Sequence, residues 1–210
     1  MSSQIFKFVF FSLFVTFISL EVNAQQRFKT GLKAGLSTSQ VDGDTYTGYN
    51  KIGFDGGAFV TGKLNEKWTG QFEIIYIQKG SKHNPNTEIG DYTFYSLALN
   101  YIEVPVLLQY HYKKYTFDLG PGFSYLIKEK EYFNGQDITG ISPFINKEIN
   151  FNIGISYTFL NNLGIDCRYS YSITPIREHS FGAKTWYNPG QMNNVLAFTL
   201  TYQFGDGKTE

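Results

Sequence analysis

Apolar and polar side chains alternate along most of this chain. The clearest run sets Ile149, Phe151, Ile153, Ile155, Tyr157 and Phe159 against Glu148, Asn150, Asn152, Gly154, Ser156 and Thr158. A strict period of two places the two sets on opposite faces of a β-strand, and a helix of period 3.6 would mix them. Eight such runs predict strands at about 28–38, 51–64, 68–79, 95–112, 115–127, 148–159, 163–174 and 194–204. In the first, Phe28, Leu32, Ala34 and Leu36 oppose Lys29, Gly31, Lys33, Gly35 and Ser37. The intervals alternate as well. Short turns follow the second, fourth and sixth strands, and longer polar segments, 40–50, 81–94, 128–146 and 175–191, follow the others. Membrane barrels have this asymmetry, with short periplasmic turns and long outer loops. The prediction is an all-β, eight-stranded antiparallel up-and-down transmembrane barrel with both termini on the short-turn side.

Alternation alone does not say which face points outward. A soluble lipocalin-like carrier of an apolar ligand would turn the same pattern inside out. Two features favour the membrane. The polar set is mostly Gly, Ser, Thr and Asn, suited to a narrow interior. Aromatic residues gather at strand ends, at Phe28, Trp68, Tyr110, Tyr112, Tyr115, Phe159 and Phe204, where interfacial girdles lie. The mean hydropathy of −0.24 fits strands that show only half their residues to lipid.

Ahead of the barrel, Lys7, an uncharged run from Phe8 to Leu20 and the ending Val22, Asn23, Ala24 read as a secretory signal peptide, 1–24, cleaved after Ala24. The barrel domain is then 25–204, followed by a polar tail, 205–210. Eighteen basic and 18 acidic residues give a formal net charge of zero, and no segment concentrates the basic ones, so no nucleic-acid partner is expected. The single cysteine, Cys167, cannot close an internal disulfide and sits on the apolar parity as a small hydrophobe.

The inward parity carries Lys33, Asp55, Glu73, Glu103, Asp118, Asp166 and Arg168. Charges in a narrow barrel must pair or accept hydrogen bonds, because isolated burial is costly, so these residues are expected to form an interior polar network. Turn-set register puts Glu103 across from Ser124, Gln109 from Asp118 and Asp166 from Ser156, which opposes no two carboxylates and offers no acid–nucleophile couple. His83 and His179 are expected in long loops and His111 beside a short turn. Ser81 and Ser180 lie near two of them, but no orienting carboxylate can be placed. No spacing suits a metal, and no cofactor or catalytic residue is expected. Gly31, Gly35, Gly53, Gly56, Gly57, Gly120 and Gly122 lie in strands that never hand over to a helix. They are read as permitting curvature and close packing.

Pro105 falls inside the fourth strand, where proline removes a ladder hydrogen bond. Its setting, Asn100, Tyr101, Ile102, Glu103, Val104, Pro105, Val106, Leu107 and Leu108, followed by Asp118, Leu119, Gly120, Pro121 and Gly122, resembles the signature of the PorT-like outer-membrane β-barrel family. Gly31, Leu32, Lys33, Ala34 and Gly35 and the closing Leu200, Thr201, Tyr202, Gln203 and Phe204 are similar to it too. Tyr101, Glu103, Pro105, Gly120 and Pro121 carry the most specific part of the likeness. The resemblance implies an eight-stranded, porin-like outer-membrane protein of a Gram-negative bacterium. Its founding member supports type IX secretion and gliding, and most relatives have no assigned task. It supplies no catalytic residues, and the extension past Phe204 departs from the terminal aromatic that the barrel-assembly machinery reads.

The function expected is therefore a non-enzymatic barrel in the outer membrane, multi-pass, acting through its long loops or as an accessory to a cell-envelope or secretion assembly. Its expected partners are outer-membrane lipid and lipopolysaccharide, the barrel-assembly machinery and an envelope or secretion protein. A lipid-modifying hydrolase or acyltransferase and a narrow channel are the alternatives.

Overall fold

The computed structural model describes residues 28–178 and 190–204. The leader at 1–24, the tail at 205–210, His179 and Ser180 lie outside the described residues. The strands are β1 (Phe28–Asp42), β2 (Lys51–Lys63), β3 (Trp68–His83), β4 (Tyr95–Tyr112), β5 (Tyr115–Phe133), β6 (Gln136–Asp137), β7 (Lys147–Leu160), β8 (Leu163–Ser172) and β9 (Met192–Gln203). All pairings are antiparallel. The sheet runs β4-β3-β2-β1-β9-β8-β7-β5-β6, and the β4–β5 pairing closes it. Strand β6 only folds back on the end of β5, through Tyr132–Asp137 and Phe133–Gln136, so eight strands form the closed ring.

The short turns, 64–67, 113–114 and 161–162, share one rim with the ends of the described chain, where the Phe204 N–H donates to the Thr30 carbonyl at 2.7 Å. Around this rim Trp68 lies 5.0 Å from Tyr110, Tyr115 lies 5.1 Å from Tyr157 and Tyr202 lies 5.5 Å from Phe204, measured between ring centroids. The loops at 43–50, 84–94 and 134–146, with residues 173–178 and 190–191, gather at the other rim.

The apolar parity faces out. Ile52, Ile74, Phe123, Ile153 and Leu200 are each half exposed or more, while Lys33, Glu73, Asp118 and Arg168 on the opposite parity are buried. A soluble carrier needs the reverse, so the lipocalin-like alternative falls. A band of exposed Ile, Leu and Phe around a closed ring has lipid as its natural solvent.

The sequence placed β4 correctly but stopped several strands short toward the long loops. There β1 runs to Asp42, β3 to His83 and β5 to Phe133. His83 is thus the last residue of β3, paired with Tyr95, and not a loop residue. Across β4 and β5 the register moves from Tyr101–Leu126 to Asn100–Lys128, so Ile127 is an extra residue. Such a bulge slips the alternation by one, and Glu131 beyond it turns inward and is buried.

Pro105 remains in β4 at a local cost to the ladder. Pairing with β3 passes from Phe72–Val106 to Ile75–Glu103 and skips the proline level. On the other side the chains approach closely at Gly120, where an added Cβ would lie 2.1 Å from the Val106 carbonyl oxygen. Only glycine fits there.

Candidate functional site

Two ion clusters cross the barrel interior at different heights. In the lower one, nearer the short turns, Lys33 Nζ of β1 stands 3.4 Å from Glu73 Oε2 of β3 and 3.5 Å from Asp166 Oδ2 of β8. Arg168 follows Asp166 by two residues on β8 and therefore shares its inner face. Its Nη1 donates to Glu73 Oε2 at 2.9 Å, and its Nε lies 3.3 Å from Asp118 Oδ1 of β5. Neutral donors complete the cluster: Gln71 Nε2 reaches Glu73 Oε1 at 2.5 Å, and Ser156 Oγ reaches Asp166 Oδ1 at 2.8 Å. Gly154 faces Asp118 in the register, and a Cβ there would lie 2.8 Å from Asp118 Oδ2, so the missing side chain makes room for the carboxylate.

The upper cluster centres on Lys79 of β3. Its Nζ lies 2.7 Å from Glu103 Oε2 and 3.1 Å from Glu148 Oε1, and 5.0 Å from the centre of the Tyr101 ring. Glu103 also accepts from Ser124 Oγ at 2.8 Å and Asn150 Nδ2 at 2.9 Å. Glu148 accepts from Ser172 Oγ at 2.7 Å and Asn193 Nδ2 at 2.9 Å. Six strands contribute to this one lysine's surroundings. Charges this deep persist only when their hydrogen-bonding capacity is met, and here the partners are supplied by the barrel wall itself.

All seven charges singled out in the sequence are buried, and six of them enter ion pairs. Asp55 does not: its Oδ1 has no hydrogen-bond partner among the described residues. Lys79 and Glu148 were missed. Both lay on the inward parity, Lys79 in step with Glu73 and Glu148 in step with Asn150, so parity alone could have found them. The family-like motif has a structural role as well, because Tyr101 and Glu103 point inward together onto Lys79, while Pro105 and Gly120 sit where the ladder is broken and tightened.

The interior is not polar throughout. Above the Lys79 cluster, Ile77, Leu97, Leu99, Tyr101, Leu126 and Val195 form an apolar layer, covered by Phe144 and Ile176 from the loops. The mouth over it is clasped. Arg177 holds Glu131 through Nη1–Oε2 at 2.8 Å and Nη2–Oε1 at 3.0 Å, Tyr95 OH donates to Glu131 at 2.6 Å, and the guanidinium stacks 4.1 Å from the Phe144 ring centre. Beside this clasp a cleft of 320 Å³ is lined by Asp44, Ser142, Ile138, Ile141, Glu131 and Arg177. Burial pushes the Asp44 carboxyl above its ordinary range, against the opposing pull of Ser81 and the Tyr46 N–H.

The two described histidines, His83 and His111, take structural partners. His83 Nε2 lies 2.6 Å from Asp91 Oδ2 with its ring stacked 4.8 Å from Tyr46, so the carboxylate that sequence could not place is Asp91. His111 sits between the Thr69 and Thr116 hydroxyls at 2.7 and 3.0 Å. Among the described residues no serine hydrogen-bonds a histidine, and no group of His, Cys and carboxylates could hold a metal ion. Cys167 is half-buried between Ile155 and Phe198 in the register.

Residues 23–178 match the family model for the outer membrane protein beta-barrel domain. No curated protein matches the chain. Among solved structures, the attachment invasion locus protein Ail of Yersinia pestis is similar at 13% identity and a TM-score of 0.48, covering 85% of this chain and 99% of its own. Neisserial surface protein A is similar at 15% and 0.49, covering 84% and 97%. OprG of Pseudomonas aeruginosa is similar at 12% and 0.42, covering 85% and 96%. The family match spans most of the sequence and agrees with the closed ring and its outward apolar face: this chain belongs to the outer membrane protein β-barrel family and is an outer-membrane protein of Gram-negative type.

Proposed function

We propose that this protein is a non-enzymatic, non-conducting barrel that presents its long loops outside the cell to a partner, as an accessory of a cell-envelope or secretion assembly. The observation that carries the reading is the filled lumen. The Lys33–Arg168 cluster, the Lys79 cluster, the apolar layer and the Arg177–Glu131 clasp succeed one another along the axis. Eight strands enclose only enough space for side chains, and here side chains take it. The rest of the chain's length goes to the loop rim, with four long connections against three short turns. The PorT-like resemblance in Tyr101, Glu103, Pro105, Gly120 and Pro121 supports the secretion-linked form of this reading. In this orientation the short turns and both ends of the described chain face the periplasm, as insertion from that side requires.

The test is a barrel in which all four long loops are replaced by short turns, expressed in a deletion strain. It is expected to reach the outer membrane as a heat-modifiable barrel and fail to complement. Full complementation would overturn the loop-based function. Altered lipid acylation in the deletion strain, restored by the intact gene, would revive the lipid-modifying alternative.

A further inference from the structure

The outer surface of the wall formed by β3 to β5 carries three lysines that enter no ion pair among the described residues. In the register Lys82 of β3 lies opposite Ser96 of β4, Lys130 of β5 opposite Ala98, and Lys128 of β5 opposite Asn100. Strand β4, between them, shows outward only Ser96, Ala98 and Asn100, while its Tyr95, Leu97 and Leu99 point inward and are buried. The lysines therefore stand on both sides of a shallow trough floored by small side chains, with neighbouring strands about 4.8 Å apart. Among the described residues the ion pairs engage Lys33, Lys79, His83, Arg168 and Arg177, so none of these three lysines is in an ion pair. Lys130 Nζ lies 3.5 Å from the Tyr132 hydroxyl, and its charge reaches Asp137 of β6 without closing an ion pair.

The height of the trough matters as much as its charge. Tyr110 marks the aromatic girdle at the short-turn rim, and Asn100 lies about ten residues up the same strand. At roughly 3.3 Å per residue and a tilt of about 40°, that is roughly 25 Å along the membrane normal, the height of the apolar band in such barrels. Ile127, 53% exposed, is the last apolar side chain of β5 before Lys128. The tyrosine, glutamine and asparagine at the boundary are joined, with Tyr76 OH and Gln78 Nε2 both donating to Asn100 Oδ1 at 2.9 Å. On the far wall Asp42 takes the corresponding place, bound by Gln40 Nε2 at 2.7 Å and Asn194 Nδ2 at 3.2 Å. The positive charge of the trough continues only toward β7, where exposed Lys147 lies opposite Tyr125 among the described residues.

We propose that Lys82, Lys128 and Lys130 bind the phosphate of an outer-leaflet lipid, lipid A of lipopolysaccharide. The trough opens sideways at the upper edge of the apolar band, where an acyl-anchored phosphate is delivered and a free one is not concentrated. Three flexible ammonium groups around a small-residue floor suit a phosphate as point charges, without the planar fork of arginine. The site rests on the orientation proposed above, with the long loops outside.

The test uses the full mature protein in detergent, titrated with lipid A and, separately, with inorganic phosphate, with retention read by native mass spectrometry. The intact barrel is expected to retain lipid A, and the K82Q/K128Q/K130Q variant to lose affinity on the order of a hundredfold. A K63Q/K67Q/K113Q control on the opposite rim is expected to bind as the parent does, and the heat-dependent gel shift of every variant reports folding. Equal retention by the trough variant, an equal loss in the control, or inorganic phosphate binding as tightly as lipid A would each overturn the proposal. Binding in detergent does not depend on orientation, which protease shaving of whole cells reads separately.

Discussion

Lys79 and Glu103 meet at 2.7 Å although neither is the other's register partner: Lys79 lies opposite Leu99, and Glu103 opposite Ile75. The lysine reaches diagonally down the lumen, and its long stem passes the Tyr101 ring to bring the ammonium between Glu103 and Glu148. One cation thus holds two buried carboxylates on β4 and β7.

Replacing that cation should be severe. Lys79→Met leaves Glu103 and Glu148 buried without their counter-ion, and breaking a buried pair on one side costs about 3–5 kcal/mol. Urea unfolding of the reconstituted barrel should show that loss. The triple variant K79M/E103Q/E148Q should recover much of it, because no uncompensated charge remains.

At Gly120 backbone meets backbone. Gly120→Ala places a Cβ 2.1 Å from the Val106 carbonyl oxygen, and neither strand can yield without breaking the β4–β5 seam that closes the ring. The variant should fail to acquire the fast-migrating unheated form on gels. Gly70→Ala, where nothing lies within 4 Å, should keep it and gain up to about 1 kcal/mol from lower chain entropy.

The clasp at the mouth is separable from the barrel. Arg177→Ala removes the bidentate hold on Glu131 and the stack on Phe144, and should speed protease cleavage within 134–146 several-fold while leaving the heat-dependent gel shift intact. A variant that no longer folds would show that the clasp supports the ring itself.

Two loop carboxylates should move loop stability in opposite directions with pH. Burial raises the Asp44 pKa, so the folded loop binds a proton more readily than the unfolded one, and stability falls as pH rises from the ordinary carboxylate range through the raised value. Asp91 is held low, first by the Thr93 N–H and then by His83, so its contribution is present above the ordinary value and lost as pH falls through the lowered one. Amide hydrogen exchange in 43–50 should slow at neutral pH in Asp44→Asn, whereas Asp91→Asn should speed exchange in 84–94 at neutral pH and lose its effect in acid.

The ring was legible because lipid imposes a period of two on every strand that crosses it. Ile149 through Phe159 and the pairings Glu103–Ser124 and Asp166–Ser156 followed directly. Beyond the bilayer that constraint lapses. Gln40 and Asp42 face outward where Leu32 and Leu36 do lower on β1, and Leu97 and Leu99 turn inward where Glu103 does lower on β4, so the pattern fades where the strands continue. The inserted Ile127 then shifts β5 by one position and hides Glu131 from a parity reading. Parity places Lys79 inside but does not give its partners, since neither Glu103 nor Glu148 is its neighbour across a ladder. The partner of His83 is Asp91, eight residues along the chain, and only a folded loop brings them together.

The filled lumen is most directly tested by single-channel recording of the purified full-length barrel in planar bilayers. No steady conductance steps are expected, with insertion verified by the heat-dependent gel shift of the same preparation. Reproducible unitary openings would mean that the clusters around Lys33 and Lys79 leave a path for ions, and would contradict a barrel that works through its loops alone.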